Sequence, residues 1–365
     1  MSATSGNAAP LAAFLKKQDL VFTWRRIGID ALGAMAHGLF ASLLIGTIIN
    51  TLGTQLNLPF LNQIGGFATA GTGAAMALSI GFALKAPSFV LYSLVAVGQA
   101  ANSLGGSGGP LAVYFITLIA VFAGKAVSKI TPIDLIVTPF VTIAIGISSA
   151  YLLAPPIGRV ASAFGIAIMW ATEMQPFLMG ILVSGIVGIV LTLPISSAAI
   201  CAALGLVGLA GGAAVAGCCA HMVGFAVASW RENKVGGLLA QGLGTSMLQI
   251  PNLMKKPVLW LPAVAASLVN GPVATVVFKL KQNGPPISSG MGTSGMVGPI
   301  GVITGWFTPS EAAKTLGETA IAPSSFDWIG LLLVAIVIPA VVAWIVSELM
   351  RKRKIIEDGD LWIEC

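Results

Sequence analysis

Two short runs in the last third of the sequence combine glycine, hydroxyl and amide residues in a chain that is otherwise apolar. The first is Gly242-Leu-Gly-Thr-Ser-Met-Leu-Gln-Ile-Pro-Asn252, and the second is Ser288-Ser-Gly-Met-Gly-Thr-Ser-Gly-Met-Val-Gly-Pro-Ile-Gly301. Glycine lets a backbone approach a ligand closely, and hydroxyl and amide groups both donate and accept hydrogen bonds. Because neither run contains lysine or arginine, a neutral polyol fits them better than a multiply charged anion.

These runs, together with an asparagine that lies between them, predict a substrate site in the middle of the membrane. The predicted substrate-binding residues are Gln249, Asn252, Asn270, Ser289, Gly292, Thr293, Ser294 and Gly295. The alternative interpretation is tight helix packing through small residues. Packing alone does not require prolines, a glutamine and an asparagine at these places. The second run is not a phosphate-binding loop, since no Gly-Lys-Ser/Thr follows the glycines.

Two ionisable residues in apolar surroundings complete the predicted site, because a charge within a membrane is costly and is a functional candidate. Glu173 precedes a proline that opens a span, where a carboxylate can accept sugar hydroxyls or bind a proton. It can equally be a loop acid paired with Arg159. His221 lies among small residues and can be either a site residue or a structural histidine. Both interpretations stay open for both residues.

The sequence predicts no catalytic residue, no metal site and no cofactor. Four cysteines and two histidines are present, and their spacing is not typical of zinc ligands or of a disulfide framework.

The composition determines the class of protein that must position these groups. Of 365 residues, 56 % are hydrophobic and 9 % are charged, whereas soluble domains carry about 25 % charged residues. A soluble domain, a nucleic-acid-binding protein and a disordered chain are excluded. We predict an all-α polytopic membrane protein with about ten transmembrane helices and some re-entrant or broken segments. The 44 glycines and 20 prolines fit close helix packing and interrupted helices.

Apolar segments and basic residues predict the topology. The segments are Ala31–Leu52, Ile64–Leu84, Ser88–Ser103, Pro110–Ala126, Ile133–Leu153, Phe177–Ile195, Ser196–Gly212, Ala213–Trp230, Pro257–Phe278, Pro285–Phe307 and Trp328–Val346. Lysines flank Pro257–Phe278 on both sides, and Gly271-Pro272 lies inside it. We therefore predict a re-entrant hairpin there and ten crossings elsewhere, with both termini cytoplasmic. Pro155–Gln175 and Gly236–Met254 are predicted to be broken or re-entrant.

Three regions follow from this pattern. Residues 1–29 are predicted to be an N-terminal cytoplasmic segment with an amphipathic helix over Leu11–Ile27, lying on the inner membrane surface. Residues 30–348 form the transmembrane transport domain. Residues 349–365 form a C-terminal cytoplasmic tail that begins with a basic cluster.

Three motifs resemble the second EIIC-type family of the bacterial phosphotransferase system, which includes membrane proteins of the perfringolysin-regulator type. They are Gly244-Thr-Ser-Met-Leu-Gln-Ile-Pro-Asn252, Asn270-Gly-Pro272 and Gly290-Met-Gly-Thr-Ser-Gly295. The resemblance implies a sugar permease subunit in a bacterial plasma membrane, as a homodimer working with cytosolic EIIA and EIIB proteins. It implies at most the membrane subunit of a protein-N(pi)-phosphohistidine–sugar phosphotransferase, and no phosphorylation site is recognised in this chain.

Two features of the sequence depart from better-known sugar permeases. There is no fused EIIB domain, and Ala171-Thr-Glu-Met174 is only a loose counterpart of the Gly-Ile-Thr-Glu run of glucose-type subunits. Two other functions therefore stay open. One is an ion- or proton-coupled transporter or channel for another small solute. The other is a membrane-bound regulator whose charged tail, Arg351–Cys365, docks a partner.

Overall fold

Helices make up the fold throughout residues 14–363, which are the residues that the computed structural model describes, apart from the side chain of Ser162. Within this part of the chain, six helices are long and apolar enough to cross a membrane, or seven if one bent pair counts as a single span. An all-α polytopic membrane fold is thus confirmed, whereas the predicted number of ten crossings is not. The helices are numbered here in chain order: α1 Arg25–Gln55, α2 Pro59–Ala70, α3 Thr72–Ala83, α4 Ser88–Gly105, α5 Gly109–Val127, α6 Asp134–Thr172, α7 Pro176–Thr192, α8 Ser197–Ala203, α9 Gly208–Ala228, α10 Trp230–Leu239, α11 Ile250–Lys255, α12 Pro257–Val277, α13 Val297–Phe307, α14 Glu311–Thr315 and α15 Ser325–Lys352.

Two compact units divide the chain, one of Met1–Ser42 with Ala70–Gly158 and the other of Leu43–Thr69 with Arg159–Cys365. In the first unit, α4 and α5 belong to one apolar stretch of 40 residues. Gly106, with φ of 52°, interrupts this stretch, and the two helices pack against each other. A residue with a β-carbon rarely adopts this backbone conformation. The sequence prediction of two separate segments here is confirmed.

The N-terminal segment folds against the first unit as two helical pieces. Leu11–Ala13 of the predicted amphipathic helix lie outside the described residues. The remainder of that helix is interrupted at Asp19, which has φ of 50°, and the second piece continues into α1. The Asp19 carboxylate accepts hydrogen bonds from Arg26, at 2.6 and 2.8 Å, and from buried Lys125 at 2.8 Å. The hydrogen bonds from Arg26, and then those from Lys125, hold the pKa of Asp19 below its usual range.

A single helix, α6, replaces a predicted span followed by a broken segment. It runs for 39 residues and includes Pro139, Pro155 and Pro156. The prediction that Pro155–Gln175 is broken or re-entrant is therefore wrong. A proline inside a helix removes one hydrogen bond, but its fixed φ near −65° matches the helical value, and the helix continues past all three prolines.

The second unit is built on α7, α9, α12 and α15, which pack closely through small residues. A β-carbon added to Gly217 would collide with the Ser184 carbonyl group, and one added to Gly271 would collide with the Gly180 carbonyl group. Close backbone approach of this kind is characteristic of membrane helix pairs.

In this unit, α12 is a continuous helical run of 21 residues, so the predicted re-entrant hairpin over Pro257–Phe278 is wrong. The run passes through Gly271 and Pro272 because it changes to π-helical winding immediately after Pro272. Asn270 also fixes the helix laterally, since its Nδ2 donates to the carbonyl oxygens of Ala216, at 2.9 Å, and Val334, at 2.8 Å. Lys255 and Lys281 consequently flank opposite ends of α12.

The predicted span Ser196–Gly212 is also wrong. Only α8, with seven residues, is helical before Gly205 and Gly208, which have φ of 60° and 66°. At Gly208 the chain forms an isolated antiparallel bridge with Gln282. Val207 is extended, with φ of −135° and ψ of −172°, and α9 begins at Gly208.

Candidate functional site

Residues 230–255 form a broken helical hairpin, here called hairpin 1, which confirms the prediction of a broken segment over Gly236–Met254. Its first arm consists of α10 and a π-helical turn, and its second arm consists of a short 3-10 helix and α11. The two arms are joined by their side chains, since Gln249 Nε2 donates to Gln241 Oε1 at 2.9 Å. The tip contains Thr245 and Ser246, both buried.

Residues 282–307 form a second hairpin, hairpin 2, where the sequence predicted a full crossing over Pro285–Phe307. The arms lie side by side: the Gly298 N–H donates to the Gly292 carbonyl at 2.8 Å, and a β-carbon on Gly301 would collide with Ser288. The predicted crossing is therefore wrong. The chain reverses because Gly292, Gly295 and Met296 have φ of 52°, 52° and 59°.

The tips of the two hairpins meet beside the middle of α9. The π-helical turn Ala240–Gly244 of hairpin 1 packs against the turn Ser294–Met296 of hairpin 2. From the bridge at Gly208 to the level of Met222, hairpin 2 follows α9 for about 20 Å at 1.5 Å per residue. At its tip, the Thr293 hydroxyl lies 3.7 Å from the Met222 sulfur. Irregular backbone of this kind is tolerated at membrane depth only where protein or a water-filled cavity surrounds it.

A hydrogen-bonded chain of three buried side chains links α9, α7 and the tip of hairpin 1. The Thr192 hydroxyl lies 3.0 Å from His221 Nδ1 and 2.8 Å from the Ser246 hydroxyl. Among the described residues, no group pairs with His221 Nε2, although the imidazole is fully buried. A buried polar atom without a partner is uncommon, so this nitrogen is a candidate ligand contact.

Aromatic rings border the same histidine. The centroids of Trp260 and Phe225 lie 5.9 and 6.0 Å from that of the imidazole. Small-molecule sites typically combine apolar and aromatic walls with a few polar groups that fix the ligand's orientation. The imidazole nitrogen and the hydroxyls of Ser246 and Thr293 are neutral donors and acceptors near the meeting point of the two tips.

The remaining residues of the second run lie in the body and tip of hairpin 2. The Ser289 hydroxyl donates to the Leu206 carbonyl at 2.6 Å. Ser294 is buried in the turn of the tip, and a β-carbon on Gly295 would collide with Ile48 of α1. Gly292 packs so closely on α9 that its β-carbon would lie 2.7 Å from Cys218 Cβ. Their assignment as substrate-binding residues stays a prediction.

The structure places Gln249, Asn252 and Asn270 in contacts with protein groups. Gln249 and Asn252 donate to backbone carbonyls of the C-terminal tail, and Asn270 of α12 donates to backbone carbonyls of α9 and α15. Glu173 is exposed in the loop between α6 and α7. It precedes α7 by three residues, whereas Thr192 ends α7 about 24 Å further along at the helical rise, so Glu173 does not join the group around His221.

Sequence reasoning missed Thr192 and Trp260. Thr192 lies in an apolar helix with no motif around it. Trp260 lies in the segment Pro257–Phe278, for which the flanking lysines predicted a re-entrant hairpin. Ser246 lies inside the first polar run, Gly242–Asn252, but is not among the predicted substrate-binding residues. Only the packing of α7, α9 and hairpin 1 distinguishes these three residues from similar ones elsewhere.

A family model described as "Phosphotransferase system, EIIC" matches residues 29–363. No curated protein and no solved structure matches this chain. The match extends over α1 to α15 and includes both hairpins. The chain therefore belongs to the EIIC family of the phosphotransferase system, the multi-pass membrane subunits that act as sugar permeases with cytosolic EIIA and EIIB partners.

Proposed function

We propose that this chain carries a neutral sugar or polyol across a bacterial plasma membrane through a site at the two hairpin tips. The observation that supports this most directly is the meeting of the tips beside His221, where an unpaired imidazole nitrogen lies near buried hydroxyls. The family supplies the solute class, and the neutral donor and acceptor set favours polyhydroxylated solutes over charged ones.

Transport by this site requires access from alternate sides, and the hairpins are suited to provide it. Each hairpin enters the second unit from a different end of α9, hairpin 2 beside Gly208 and hairpin 1 beside Ser229. Displacement of one tip at a time would open the site to one side only. We assign the first gate to hairpin 1 and the second gate to hairpin 2.

The side of hairpin 1 is assigned to the cytoplasm. Arg351 and Lys352 at the end of α15 lie at this end, as do Lys255 and Lys256 at the end of α11. Cytoplasmic loops carry an excess of lysine and arginine. EIIA and EIIB would then deliver phosphate to the solute from this side. The homodimer implied by the family resemblance remains a prediction, and the mass of the protein in a lipid nanodisc measures it.

The test is uptake by inverted and right-side-out vesicles with a panel of neutral sugars and polyols, and with sugar phosphates and carboxylates. Thr293→Val and Ser246→Ala should each lower uptake of the transported solute at least tenfold. The matched control is Ser347→Ala, a buried serine of α15 that bonds only its own helix. Normal uptake in both site variants would contradict the proposed site. Uptake that does not depend on phosphoenolpyruvate but is abolished by a protonophore would favour a proton-coupled transporter instead.

A further inference from the structure

The C-terminal tail folds back onto hairpin 1 and is anchored by apolar side chains. Leu361, Ile356 and Ile363 are almost fully buried. Leu361 and Ile356 belong to one cluster with Phe225 of α9 and Leu253 of α11. Residues 355–363 are called the C-terminal strap below. Burial of a large aliphatic side chain stabilises a contact by about 1.5–3 kcal/mol, so the strap is packed as part of the fold.

Three amide side chains hold the backbone of the strap. Asn233 donates to the Leu361 carbonyl at 2.8 Å and accepts from the Ile363 N–H at 3.0 Å. Gln249 Nε2 donates to the same Leu361 carbonyl at 2.9 Å, and Asn252 Nδ2 donates to the Trp362 carbonyl at 2.7 Å. An amide side chain carries both a donor and an acceptor, so it pairs with an extended backbone whatever the side chains of that backbone are.

The same amides form the hydrogen-bond network that braces hairpin 1. Asn252 Nδ2 also donates to Gln249 Oε1, and Gln249 Nε2 to Gln241 Oε1, both at 2.9 Å. Gln241 Nε2 in turn donates to the Ser229 hydroxyl at the end of α9, at 2.8 Å. Gln241 and Gln249 stand on either side of the tip. The strap is therefore the outer member of a buried network that ends at the base of the tip.

Charged contacts complete the attachment. Lys256 Nζ donates to the Asp360 carboxylate at 2.7 Å. At the start of the tail, Arg351 pairs with Glu232 of α10 at 2.8 Å, and both side chains are nearly buried. Removal of one partner from a buried pair is costly because it leaves the other charge uncompensated. The Arg351–Glu232 pair joins the tail to hairpin 1, and the Lys256–Asp360 pair joins it to the residue that directly follows hairpin 1.

We infer that the C-terminal strap is a positioning element for the gate formed by hairpin 1. The strap completes the hydrogen bonds of Gln249 and Asn252. Through these residues it fixes the arms of hairpin 1, and so holds Ser246 within hydrogen-bond distance of Thr192. Asn233, Gln249 and Asn252 are thus positioning residues. A buried network that loses one member leaves the others unsatisfied, so hairpin 1 loosens when the strap is absent. The effect on transport, though not the effect on hairpin 1, rests on the proposed function.

The experiment compares the full chain with a variant ending at Ile355 and with Asn233→Leu, in lipid nanodiscs. Hydrogen exchange of residues 240–252 should become at least tenfold faster in both, while exchange in α4 and α5 stays unchanged. Trp362→Ala is the matched control, because Asn252 binds the carbonyl of this residue and its indole is exposed; its exchange should match the full chain. Equal exchange of residues 240–252 in all four proteins would overturn the inference.

A second measurement separates positioning from general destabilisation. For uptake by the shortened chain and by Asn233→Leu, we expect the KM or the maximal rate to change at least fivefold. Hydrogen exchange in α4 and α5 should stay unchanged in both proteins. Faster exchange in α4 and α5 as well would mean that the strap acts on overall stability, and would overturn the positioning role. If hydrogen exchange changes as expected while Ser246→Ala transports normally, that result would contradict the proposed substrate site but would still support the positioning of hairpin 1 by the strap.

Discussion

The hydroxyl of Thr192 lies between His221 Nδ1 and the hydroxyl of Ser246, at 3.0 and 2.8 Å, and joins the end of α7 to the middle of α9 and to the tip of hairpin 1. A hydroxyl has one proton to donate. Thr192 Oγ1 also lies 3.4 Å from the Gly188 carbonyl oxygen. When Thr192 donates to His221 Nδ1, it must accept from Ser246, and Nε2 of the neutral imidazole then carries the proton.

Replacement of Thr192 tests this chain of hydrogen bonds. Thr192→Val keeps the shape of the side chain but leaves His221 Nδ1 and the Ser246 hydroxyl unpaired, which costs about 1–3 kcal/mol for each buried group. We expect a lower thermal unfolding midpoint and uptake reduced at least tenfold. Thr192→Ser keeps the hydroxyl and should retain most of both. Full uptake by the valine variant would show that the chain of hydrogen bonds is dispensable.

The tip of hairpin 2 should tolerate no side chain at Gly292. Its φ of 52° is strained for an L-residue by about 1–2 kcal/mol. Its β-carbon would also meet Cys218 and the Cys219 nitrogen at 2.7 and 2.8 Å. Gly292→Ala should therefore lower the free energy of unfolding by at least about 2 kcal/mol, since overpacking adds to the strain.

Gly66 provides the control for this substitution. It lies within α2, and nothing lies within 4 Å of the β-carbon that alanine would add. Because alanine favours a helix interior over glycine by about 1 kcal/mol, Gly66→Ala should leave stability unchanged or raise it. Equal stability of the two variants, measured by denaturation in the same detergent, would argue against a tightly packed tip.

The path of α12 predicts the membrane sidedness of its ends. Cysteines placed at Lys255 and Lys281, in a chain without its native cysteines, should react with a membrane-impermeant maleimide from opposite sides. Lys255 should be labelled from the side that carries the C-terminal tail, because Lys256 pairs with Asp360. Labelling of both positions from the same side would contradict a crossing by α12 and would support a re-entrant hairpin over Pro257–Phe278.

Docking of the strap should weaken in acid. Partial burial raises the pKa of Asp360, but the hydrogen bonds from Lys256 Nζ and the Glu357 N–H, with the charges of Lys256 and Arg351, outweigh it and hold that pKa below its usual range. The released carboxyl has a pKa of about 4. The ionised carboxylate thus favours docking fully above about pH 4, and this contribution is lost as the pH falls through the lower pKa of the docked form.

The measurement is the rate of tail cleavage by an acid-stable protease between pH 3 and pH 6. We expect cleavage of residues 355–363 to accelerate towards pH 3 in the full chain. Asp360→Asn should cleave faster at pH 6 and lose most of the change with pH, since its amide does not ionise. A pH profile shared by both proteins would exclude Asp360 as the titrating group.

Composition and the two polar runs were sufficient to predict the class of fold and the two segments that become hairpin tips or arms. An apolar fraction this high has no stable solution except membrane helices. Glycine and hydroxyl residues that interrupt such helices mark irregular backbone, as they do over Gly242–Asn252 and Ser288–Gly295. The family resemblance inferred from these runs is confirmed by the family model that matches residues 29–363.

Which segments cross the membrane, and which side chains come into contact, depends on tertiary packing. Gly271-Pro272 reads as a break, yet α12 continues because a π-helical turn and the bonds of Asn270 to two neighbouring helices accommodate the proline. The sequence of hairpin 2 is typical of a span, yet the chain turns back because Gly292, Gly295 and Met296 adopt positive φ. Such outcomes depend on partners distant in the chain, which local composition does not encode. For the same reason the sequence identified His221 but not Thr192, whose role arises only where α7 ends beside α9 and Ser246.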